Sequence, residues 1–137
     1  MRLKNKVAVI TGGAKGIGKA ITIKMLNEGG HVAFADVDEE ASDMLISFCK
    51  QNGMEVLGVR CDVTKEDEVT DMFNKVEKVH GRIDVFVNNA GIWDVNPTVK
   101  GIADIDAASY EKIMDINVKG ALLCCKHVVP FFRRAGG

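Results

Sequence analysis

A continuous apolar run that leads directly into a glycine-rich segment constrains the fold of this chain more than any other feature. Residues 7–10 read Val-Ala-Val-Ile, and residues 11–18 read Thr-Gly-Gly-Ala-Lys-Gly-Ile-Gly. An uninterrupted apolar run is typical of a strand that is buried on both faces of a parallel sheet. From about Gly16, apolar side chains recur every four residues until residues 29–30, which are both glycine. This pattern predicts a helix that begins in the glycine segment and ends at the second pair of glycines.

The alternation of strand and helix patterns continues along the chain. Apolar runs predict strands at residues 31–35, 55–61 and 83–87, with amphipathic helices between them. Consecutive strand–helix units imply parallel strands joined by right-handed crossovers. The sequence therefore predicts a three-layer, doubly wound α/β fold of the Rossmann type, with strand order 3-2-1-4 and two of the standard six strands unaccounted for. All 137 residues are expected to form one domain.

Local signals predict where the later helices begin and bend. Thr64 and Asp67 have the spacing of a capping box, which predicts the start of the third helix near these residues. A last helix is expected from about residue 109 towards residue 134, after a long loop that contains Pro97. Pro130 is a candidate kink in this helix, because proline lacks the backbone N–H that a helix interior uses.

The charge balance and the short apolar runs limit the classes of function. A net charge of −1 and a pI of about 6.3 argue against a nucleic-acid-binding protein, which usually presents a basic face. The apolar runs are far shorter than the roughly 20 residues of a membrane-spanning helix, and no export signal is recognisable. Four cysteines without a regular spacing and three scattered histidines predict reduced thiols, a cytoplasmic location and no metal site.

The glycine segment has the composition of a phosphate-binding turn. Gly12, Gly16 and Gly18 would let the backbone approach a pyrophosphate, and Lys15 and Ile17 lie between them. The N-terminus of the following helix would add free N–H groups and the positive end of its dipole. The spacing differs from the Gly-x-Gly-x-x-Gly of the common dinucleotide fingerprint. A tight strand-to-helix turn also uses glycine, so a purely structural interpretation stays open.

An acidic residue at the end of the second strand bears on the choice of cofactor. Asp36 lies about 20 residues beyond the glycine segment, where an acid accepts both hydroxyls of an adenosine ribose and repels a 2′-phosphate. Val37 follows, so no arginine stands there to bind a 2′-phosphate. These residues favour NAD over NADP, and Lys15 is the one residue that favours the opposite. A solvated turn aspartate is the alternative, because Asp38 and two glutamates follow closely.

Four short motifs occur in a fixed order. Three of them follow predicted strands, and the fourth lies in the predicted last helix. They span nearly the whole chain: residues 11–18, Cys61-Asp62-Val63, Asn88-Asn89-Ala90-Gly91 and Ile116-Asn117-Val118-Lys119-Gly120. The carboxyl ends of parallel strands are where open α/β sheets bind ligands. Together the motifs resemble those of the short-chain dehydrogenase/reductase family. The resemblance implies an oxidoreductase that transfers hydride between NAD and a small alcohol or ketone substrate.

The resemblance also implies roles for the residues that follow strands three and four. Asp62 would lie near the adenine amino group, with Val63 beside it. Asn89, Ala90 and Gly91 would line the adenosine ribose and the diphosphate. Each group also has a structural interpretation, because Asp62 can precede a helix cap and the asparagine motif can form a simple turn.

Two asparagines remain after these assignments. Asn88 is expected to brace the strands. Asn117 corresponds to the catalytic asparagine of the family, and its helical neighbours Ile113 and Ala121 are apolar. The Asn117 amide is therefore expected to be buried and hydrogen-bonded. A structural hydrogen bond explains this position as well as catalysis does, and the resemblance favours catalysis.

The sequence departs from the family at its other catalytic residues. The family uses a serine and a Tyr-x-x-x-Lys motif, whereas the one tyrosine here is Tyr110 and Met114 stands four residues later. The resemblance therefore implies a truncated, N-terminal portion that binds cofactor and is catalytically incomplete. The alternative is a non-catalytic nucleotide-binding or interaction module. A fourth strand without its expected neighbour also predicts self-association.

Overall fold

The computed structural model describes residues 1–93 and 101–136, so the loop predicted around Pro97 lies outside the described residues. The strands are β1 (Val7–Thr11), β2 (His31–Asp36), β3 (Val56–Arg60) and β4 (Val85–Val87). The helices are α1 (Gly16–Asn27), α2 (Glu39–Gln51), α3 (Glu66–His80), α4 (Ala107–Met114) and α5 (Ala121–Ala135).

The four strands form one parallel sheet in the order β3-β2-β1-β4, which confirms the predicted topology. The register pairs Val9 of β1 with Ala33 of β2 on one side and with Phe86 of β4 on the other. On the far side of β2, Ala35 pairs with Val59 of β3. Because all strands run in the same direction, their carboxyl ends lie at one edge of the sheet.

Apolar side chains cover both faces of the sheet, which makes the three layers. Alternate residues of β1 point to opposite faces, since strand side chains have a period of two. Val7 and Val9 pack in a cluster with α3 and α5, which contribute Phe73 and Val128 among others. On the opposite face, the β2 residue Phe34 packs with Leu45 of α2, next to partly buried residues of α1. The sheet is therefore buried on both sides, as the continuous apolar run of β1 predicted.

All four strands differ from the predicted ones by one or two residues, and β1 and β2 each end one residue later than predicted. β3 covers residues 56–60 rather than 55–61, and β4 covers 85–87 rather than 83–87. Ile83 is fully buried and belongs to the core without being part of the strand. Asp84 breaks the pattern before β4, because its carboxylate accepts a hydrogen bond from the Val7 N–H (2.9 Å). Apolar character alone therefore overstated the length of the ladder.

The predicted capping box at the start of α3 is wrong. The helix begins at Glu66, and its N-cap residue Lys65 makes no side-chain capping bond. Thr64 instead donates its hydroxyl to Asp62 Oδ1 (2.7 Å), and its N–H binds the same oxygen (3.0 Å). Thr64 therefore binds the Asp62 carboxylate and does not cap the helix.

The predicted last helix is a longer and more complex element. It begins at Ala107, where Asp106 accepts a hydrogen bond from the Ser109 N–H (2.8 Å), and it continues through Pro130 to Ala135. Residues Asp115–Gly120 between α4 and α5 are π-helical, with the backbone in the right-handed helical region at both junctions. Single π-helical turns within α-helices occur frequently at functional sites.

Candidate nucleotide-binding site

One cavity opens at the sheet edge where β1, β2, β3 and β4 end. It has a volume of about 640 Å³ and is lined by backbone and side chains from every strand end and from the start of α1. All of the cofactor-binding residues predicted from the sequence lie on it: Gly12, Lys15, Gly16, Ile17, Gly18, Asp36, Asp62, Val63, Asn89, Ala90 and Gly91. The structure thus brings these residues together, and their binding of a nucleotide stays a prediction.

Six more residues line the cavity that were not predicted as binding residues: Ala35, Val37, Asp38, Cys61, Ile92 and Ile116. Cys61 and Ile116 belong to motifs quoted above, and each of the six lies one or two positions from a predicted site residue. Extending each motif by two residues in both directions would have found them, because strand ends and the turns after them enter the same edge together.

The glycines of the turn between β1 and α1 have distinct structural reasons. Gly12 and Gly16 have φ values of +63° and +52°, a region that side chains with a Cβ rarely adopt. A Cβ on Gly18 would overlap the Gly12 carbonyl oxygen and would lie 2.7 Å from Asn89 Nδ2. A Cβ on Gly16 would meet nothing within 4 Å, so that glycine faces open space. The turn is therefore held tightly on its inner side and leaves its backbone accessible at Gly16.

The N-terminus of α1 has the properties of an anion-binding site. Its N-cap residue is Lys15, whose side chain makes no capping hydrogen bond. The first N–H groups of a helix have no partner within the helix and carry the positive end of its dipole. Because this terminus borders the cavity at Ile17 and Gly18, its free N–H groups suit the diphosphate of a dinucleotide.

The Asp36 carboxylate is fixed in orientation at the end of β2. Its Oδ2 accepts a hydrogen bond from the Ala14 N–H (3.0 Å), and its Oδ1 accepts one from the Asp38 N–H (3.1 Å). A carboxylate oxygen has two acceptor positions, so each oxygen retains one for a further donor. Asp36 therefore joins the glycine turn to the β2–α2 turn and can still accept bonds from ribose hydroxyls.

An ion pair crosses the mouth of the cavity beside Asp36. Lys15 Nζ lies 2.6 Å from Asp38 Oδ2. The hydrogen bond and charge of Asp38 raise the pKa of Lys15 above its usual value. The Lys15 hydrogen bond, and then the bond from the Ala41 N–H, lower the pKa of Asp38. Both groups are thus held in their charged forms near neutral pH.

Asp62 and Val63 form the part of the cavity wall that follows β3. Burial raises the pKa of Asp62, but its bonds from Thr64 and the charges of Lys65 and Arg60 outweigh this and lower it overall. Asp62 is therefore an ionised hydrogen-bond acceptor. Val63 is 7% exposed, and a Cβ on Gly120 would lie 2.6 Å from its Cγ2. The glycine in the last helix lets that helix pack directly on the cavity wall.

Thr11 organises the wall between β1 and β4. The residue is fully buried, and its Oγ1 accepts hydrogen bonds from the N–H groups of Asn89 and Ala90 (both 3.1 Å). Asn89 Nδ2 in turn donates to the carbonyls of Thr11 (2.9 Å) and Gly12 (3.1 Å). The sequence reasoning missed this role of Thr11. A single hydroxyl at the end of an otherwise apolar buried run was the signal that could have found it.

Asn88 was predicted to brace the strands against each other, but it contacts a helix instead. Asn88 Nδ2 donates to the Ala121 carbonyl (2.9 Å) and lies 3.4 Å from Cys125 Sγ, so it ties the end of β4 to α5. Asn89 is the residue that braces β4 against β1. Successive side chains of an extended segment point to opposite sides. Asn89 therefore points towards β1 and Asn88 towards α5.

Asn117 finds hydrogen-bond partners as predicted, but it is exposed rather than buried. Its Oδ1 accepts from the Ile92 N–H (2.8 Å), and its Nδ2 donates to the Ile92 carbonyl (2.9 Å). The expectation of burial took the apolar neighbours of Asn117 as the mark of a buried face, whereas Met114 and Val118 beside it are themselves exposed. A Cβ on Gly91 would lie 3.2 Å from Asn117 Oδ1, so glycine allows this approach.

Two further observations concern residues 1–93 and 101–136. Within these ranges no helix is both long and apolar enough to cross a membrane, and no three potential ligand side chains are grouped as a metal site requires. All four cysteines are free thiols, and burial raises the pKa values of Cys61 and Cys124 to about 12.

Comparisons with known proteins agree with the fold and the motifs. A sequence model described as short chain dehydrogenase matches residues 6–137. The chain is 40% identical to the sex determination protein tasselseed-2 of Zea mays, an alignment that covers 98% of the chain and 40% of that protein. It is 30% identical to a 3beta-hydroxysteroid dehydrogenase of Mediterraneibacter gnavus, with coverage of 99% and 48%. The crystal structure of levodione reductase matches with a TM-score of 0.88 at 32% identity, covering 99% of this chain and 52% of that one.

The chain thus spans about half the length of the curated relatives it matches. The matched half contains the parallel sheet, the glycine turn and the cavity described above. With a family match over residues 6–137 and a fold shared with solved members, this chain belongs to the short-chain dehydrogenase/reductase family of oxidoreductases.

Proposed function

We propose that the cavity binds NAD, and that the protein to which these residues belong transfers hydride between NAD and an alcohol or ketone. The observation that carries the proposal is the joint placement of two features on one cavity. The uncapped N-terminus of α1 offers N–H groups to a diphosphate, and the oriented Asp36 carboxylate offers acceptors to a ribose.

Each part of the cavity has a role in this proposal. The turn at Gly12 and Gly16 and the first N–H groups of α1 would hold the diphosphate. Asp36 would accept bonds from both ribose hydroxyls, and Asp62 would accept one from the adenine amino group. The segment from Asn89 to Gly91 would close the opposite side. When bound, the nicotinamide ring supplies the acceptor or donor of the hydride.

The charges around Asp36 favour NAD over NADP. A 2′-phosphate would lie against the carboxylate, and like charges at this distance repel. Val37 is 56% exposed beside it and offers no positive charge. Lys15, which could attract a phosphate, is paired with Asp38. We therefore expect NAD to be the preferred cofactor and NADP the weaker ligand.

We propose that these 137 residues bind the cofactor without turning over substrate. Proton transfer to or from an alcohol needs a group whose pKa is tuned towards the working pH. The Asn117 amide does not ionise in this range. Tyr110 is not among the described residues that line the cavity, and the residue four positions after it is Met114 rather than the lysine of a Tyr-x-x-x-Lys motif. These observations equally support the second candidate, a nucleotide-binding module without catalytic activity.

The substrate, partner and location proposals rest on separate observations. Relatives named 3beta-hydroxysteroid dehydrogenase and levodione reductase support a small alcohol or ketone substrate. Apolar side chains exposed along the last helix, among them Val118 and Leu122, support association with a second copy. The free thiols support a reducing, cytoplasmic environment. The near-neutral charge gives no support for nucleic acid as a partner.

The binding proposal is tested by titrating the purified chain with NADH and measuring the fluorescence of the NADH. We expect saturable binding that Asp36→Asn weakens by about tenfold, the equivalent of one charge-assisted hydrogen bond. Asp71→Asn, which changes an exposed acid on α3, is the matched control and should leave binding unchanged. If neither NADH nor NADPH binds, the proposed function is wrong.

A turnover assay tests the proposal that these 137 residues do not catalyse the reaction by themselves. The purified chain is mixed with NAD and a panel of alcohols, and NADH absorbance is followed. Without a general acid or base we expect a rate lower by about a hundredfold to ten-thousandfold than that of a complete enzyme. Turnover that persists after removal of host dehydrogenases would show that the chain contains a base that is not recognised above.

A further inference from the structure

A lysine and an aspartate from two different turns meet at the mouth of the cavity. Lys15 precedes α1, Asp38 precedes α2, and their side chains form an ion pair 2.6 Å long. Both residues line the cavity, and Lys15 is the one cation among the described residues that do so. The position of this ammonium therefore decides how much positive charge the cavity offers to a ligand.

We infer that Asp38 is a specificity-determining residue, which excludes NADP by keeping the Lys15 ammonium from a 2′-phosphate. The inference rests on the proposed function, because it assumes that a dinucleotide places its adenosine ribose at Asp36. It assigns the selectivity to a residue that does not itself contact the ribose. Asp38 is thus a positioning residue that acts through Lys15.

The Asp38 carboxylate is held firmly enough to fix the lysine. Its Oδ1 caps α2 by accepting a hydrogen bond from the Ala41 N–H (2.9 Å), while Oδ2 faces Lys15. Its backbone is anchored as well, because the Asp38 N–H binds Asp36 Oδ1 (3.1 Å) and the Ser42 hydroxyl donates to the Asp38 carbonyl (2.7 Å). Lysine therefore meets a preoriented acceptor rather than a mobile one.

The local charge explains why the pairing matters for a 2′-phosphate. Asp36, Asp38 and Lys15 together carry one net negative charge, and the single positive charge is engaged. A 2′-phosphate adds about two more negative charges at neutral pH, so it meets net repulsion. Removing the Asp38 charge would make the trio neutral and would release the ammonium for the phosphate.

The pair contributes to selectivity more than to stability. The Lys15 side chain is 65% exposed and that of Asp38 34%, and exposed ion pairs stabilise folded proteins little. The capping function of Asp38 can be kept without its charge, because asparagine is as good an N-cap residue as aspartate. Asp38→Asn therefore removes the hold on Lys15 while α2 keeps its cap.

Calorimetric titration of the whole chain with NAD and with NADP tests the inference in a mutant cycle. We expect Asp38→Asn to tighten NADP binding by about two- to fivefold, the range of exposed charge pairs, and to change NAD binding by less than twofold. Lys15→Met alone should weaken NADP binding by less than the gain of Asp38→Asn, because its ammonium is already engaged with Asp38. In the Lys15→Met background, Asp38→Asn should tighten NADP binding clearly less than it does in the unmodified chain.

Two further measurements test whether the effect of Asp38 depends on its charge, and the comparison with and without Lys15 distinguishes positioning from general repulsion. Asp38→Glu should restore the preference for NAD, since it returns a carboxylate within reach of Lys15. The gain of Asp38→Asn for NADP should shrink as salt is raised. Two outcomes would overturn this inference and leave the proposed function intact. One is an equal gain in NADP affinity from Asp38→Asn with and without Lys15. The other is a chain that binds NAD but whose NADP affinity does not change in Asp38→Asn. If the unmodified chain binds neither dinucleotide, the proposed function and this inference are both wrong.

Discussion

The side-chain amide of Asn117 makes two hydrogen bonds with the backbone of Ile92, accepting from its N–H at 2.8 Å and donating to its carbonyl at 2.9 Å. This pairing joins the π-helical segment to the residue that follows the Asn-Asn-Ala-Gly motif. Ile92 and Ile116, the neighbour of Asn117, both line the cavity. The amide thus fixes the backbone of a residue that lines the cavity.

Replacement of Asn117 by alanine should release Ile92 and make the wall less stable. Loss of two intramolecular hydrogen bonds should lower the free energy of unfolding by about 1–2 kcal/mol. Hydrogen exchange at the Ile92 amide should accelerate, since that N–H loses its acceptor. Asn74→Ala, which changes an exposed asparagine on α3, is the control. Unchanged exchange at Ile92 would contradict this role of the amide.

Thr11 should be sensitive to loss of its hydroxyl but not of its methyl group. Thr11→Val keeps the shape and leaves the buried N–H groups of Asn89 and Ala90 without their acceptor. We expect the free energy of unfolding to fall by about 2–4 kcal/mol, because buried unsatisfied donors cost about 1–3 kcal/mol each. Thr11→Ser keeps the acceptor and should cost clearly less. Chemical denaturation measures both, and equal losses would contradict the hydrogen-bonding role.

Gly18 should tolerate no side chain, although it lies in a helix. A Cβ there would overlap the Gly12 carbonyl and crowd Asn89 Nδ2 at 2.7 Å. Gly18→Ala should therefore destabilise the chain by about 1–3 kcal/mol, the usual cost of overpacking, and weaken NADH binding. Gly101→Ala is the control, because its backbone is extended (φ −170°) and a Cβ there meets no atom of the described residues within 4 Å. A loss in Gly18→Ala as small as that in Gly101→Ala would show that the turn relaxes easily.

Local sequence features predicted most of the sheet and the cavity wall. The strand β1 and the turn after it are determined by residues that are adjacent in the sequence. The apolar run and the glycines therefore sufficed to predict a buried strand and a tight turn. Asp36 was predictable in the same way, since the end of β2 must lie beside the end of β1 in the strand order 3-2-1-4.

The features that escaped prediction depend on contacts between distant segments. Lys15 and Asp38 are 23 residues apart in the sequence, and only the packing of their two turns brings the charges together. The exposure of Asn117 escaped because apolar neighbours do not by themselves mark a buried face, and Met114 and Val118 are themselves exposed. Thr64 has the pattern of a cap, but the nearer Asp62 carboxylate competes for its hydroxyl.

The stability of the chain should depend on pH through Asp84. Burial raises the pKa of Asp84, but hydrogen bonds from Arg82, Val7 and Lys6 outweigh it and lower the pKa below its ordinary value of 3.8. A lowered pKa in the folded state stabilises the fold at every pH above 3.8, and this stabilisation is lost as the pH falls through the folded value.

Asp84→Asn should remove that pH dependence. At neutral pH we expect the free energy of unfolding to fall by about 2 kcal/mol, because the bonds to a charged acceptor are replaced by weaker ones. The difference from the unmodified chain should narrow as the pH falls below 3.8. Denaturation curves between pH 7 and pH 2 measure this. Asp71→Asn is the control on the exposed face of α3, and an equal pH dependence in both variants would contradict the role of Asp84.

The preference for NAD should be reversible at two adjacent positions. Asp36→Ala with Val37→Arg removes the carboxylate that accepts the ribose hydroxyls and supplies a guanidinium, which binds phosphate with several donors. Val37 is 56% exposed, so an arginine fits there without disturbing the core. NADP should then bind more tightly than NAD in a fluorescence titration with the reduced dinucleotides.

Single variants separate the two contributions to this reversal. Val37→Arg alone should strengthen NADP binding while NAD binding stays within about twofold, because Asp36 still accepts the ribose hydroxyls. Val37→Leu controls for side-chain bulk and should change neither affinity. Asp36→Ala alone should weaken NAD binding, and it also removes the acceptor of the Ala14 N–H, so its melting temperature must be measured beside its affinity. Tighter binding of NADP than NAD by the unmodified chain would show that Lys15, rather than Asp36, determines the choice of cofactor.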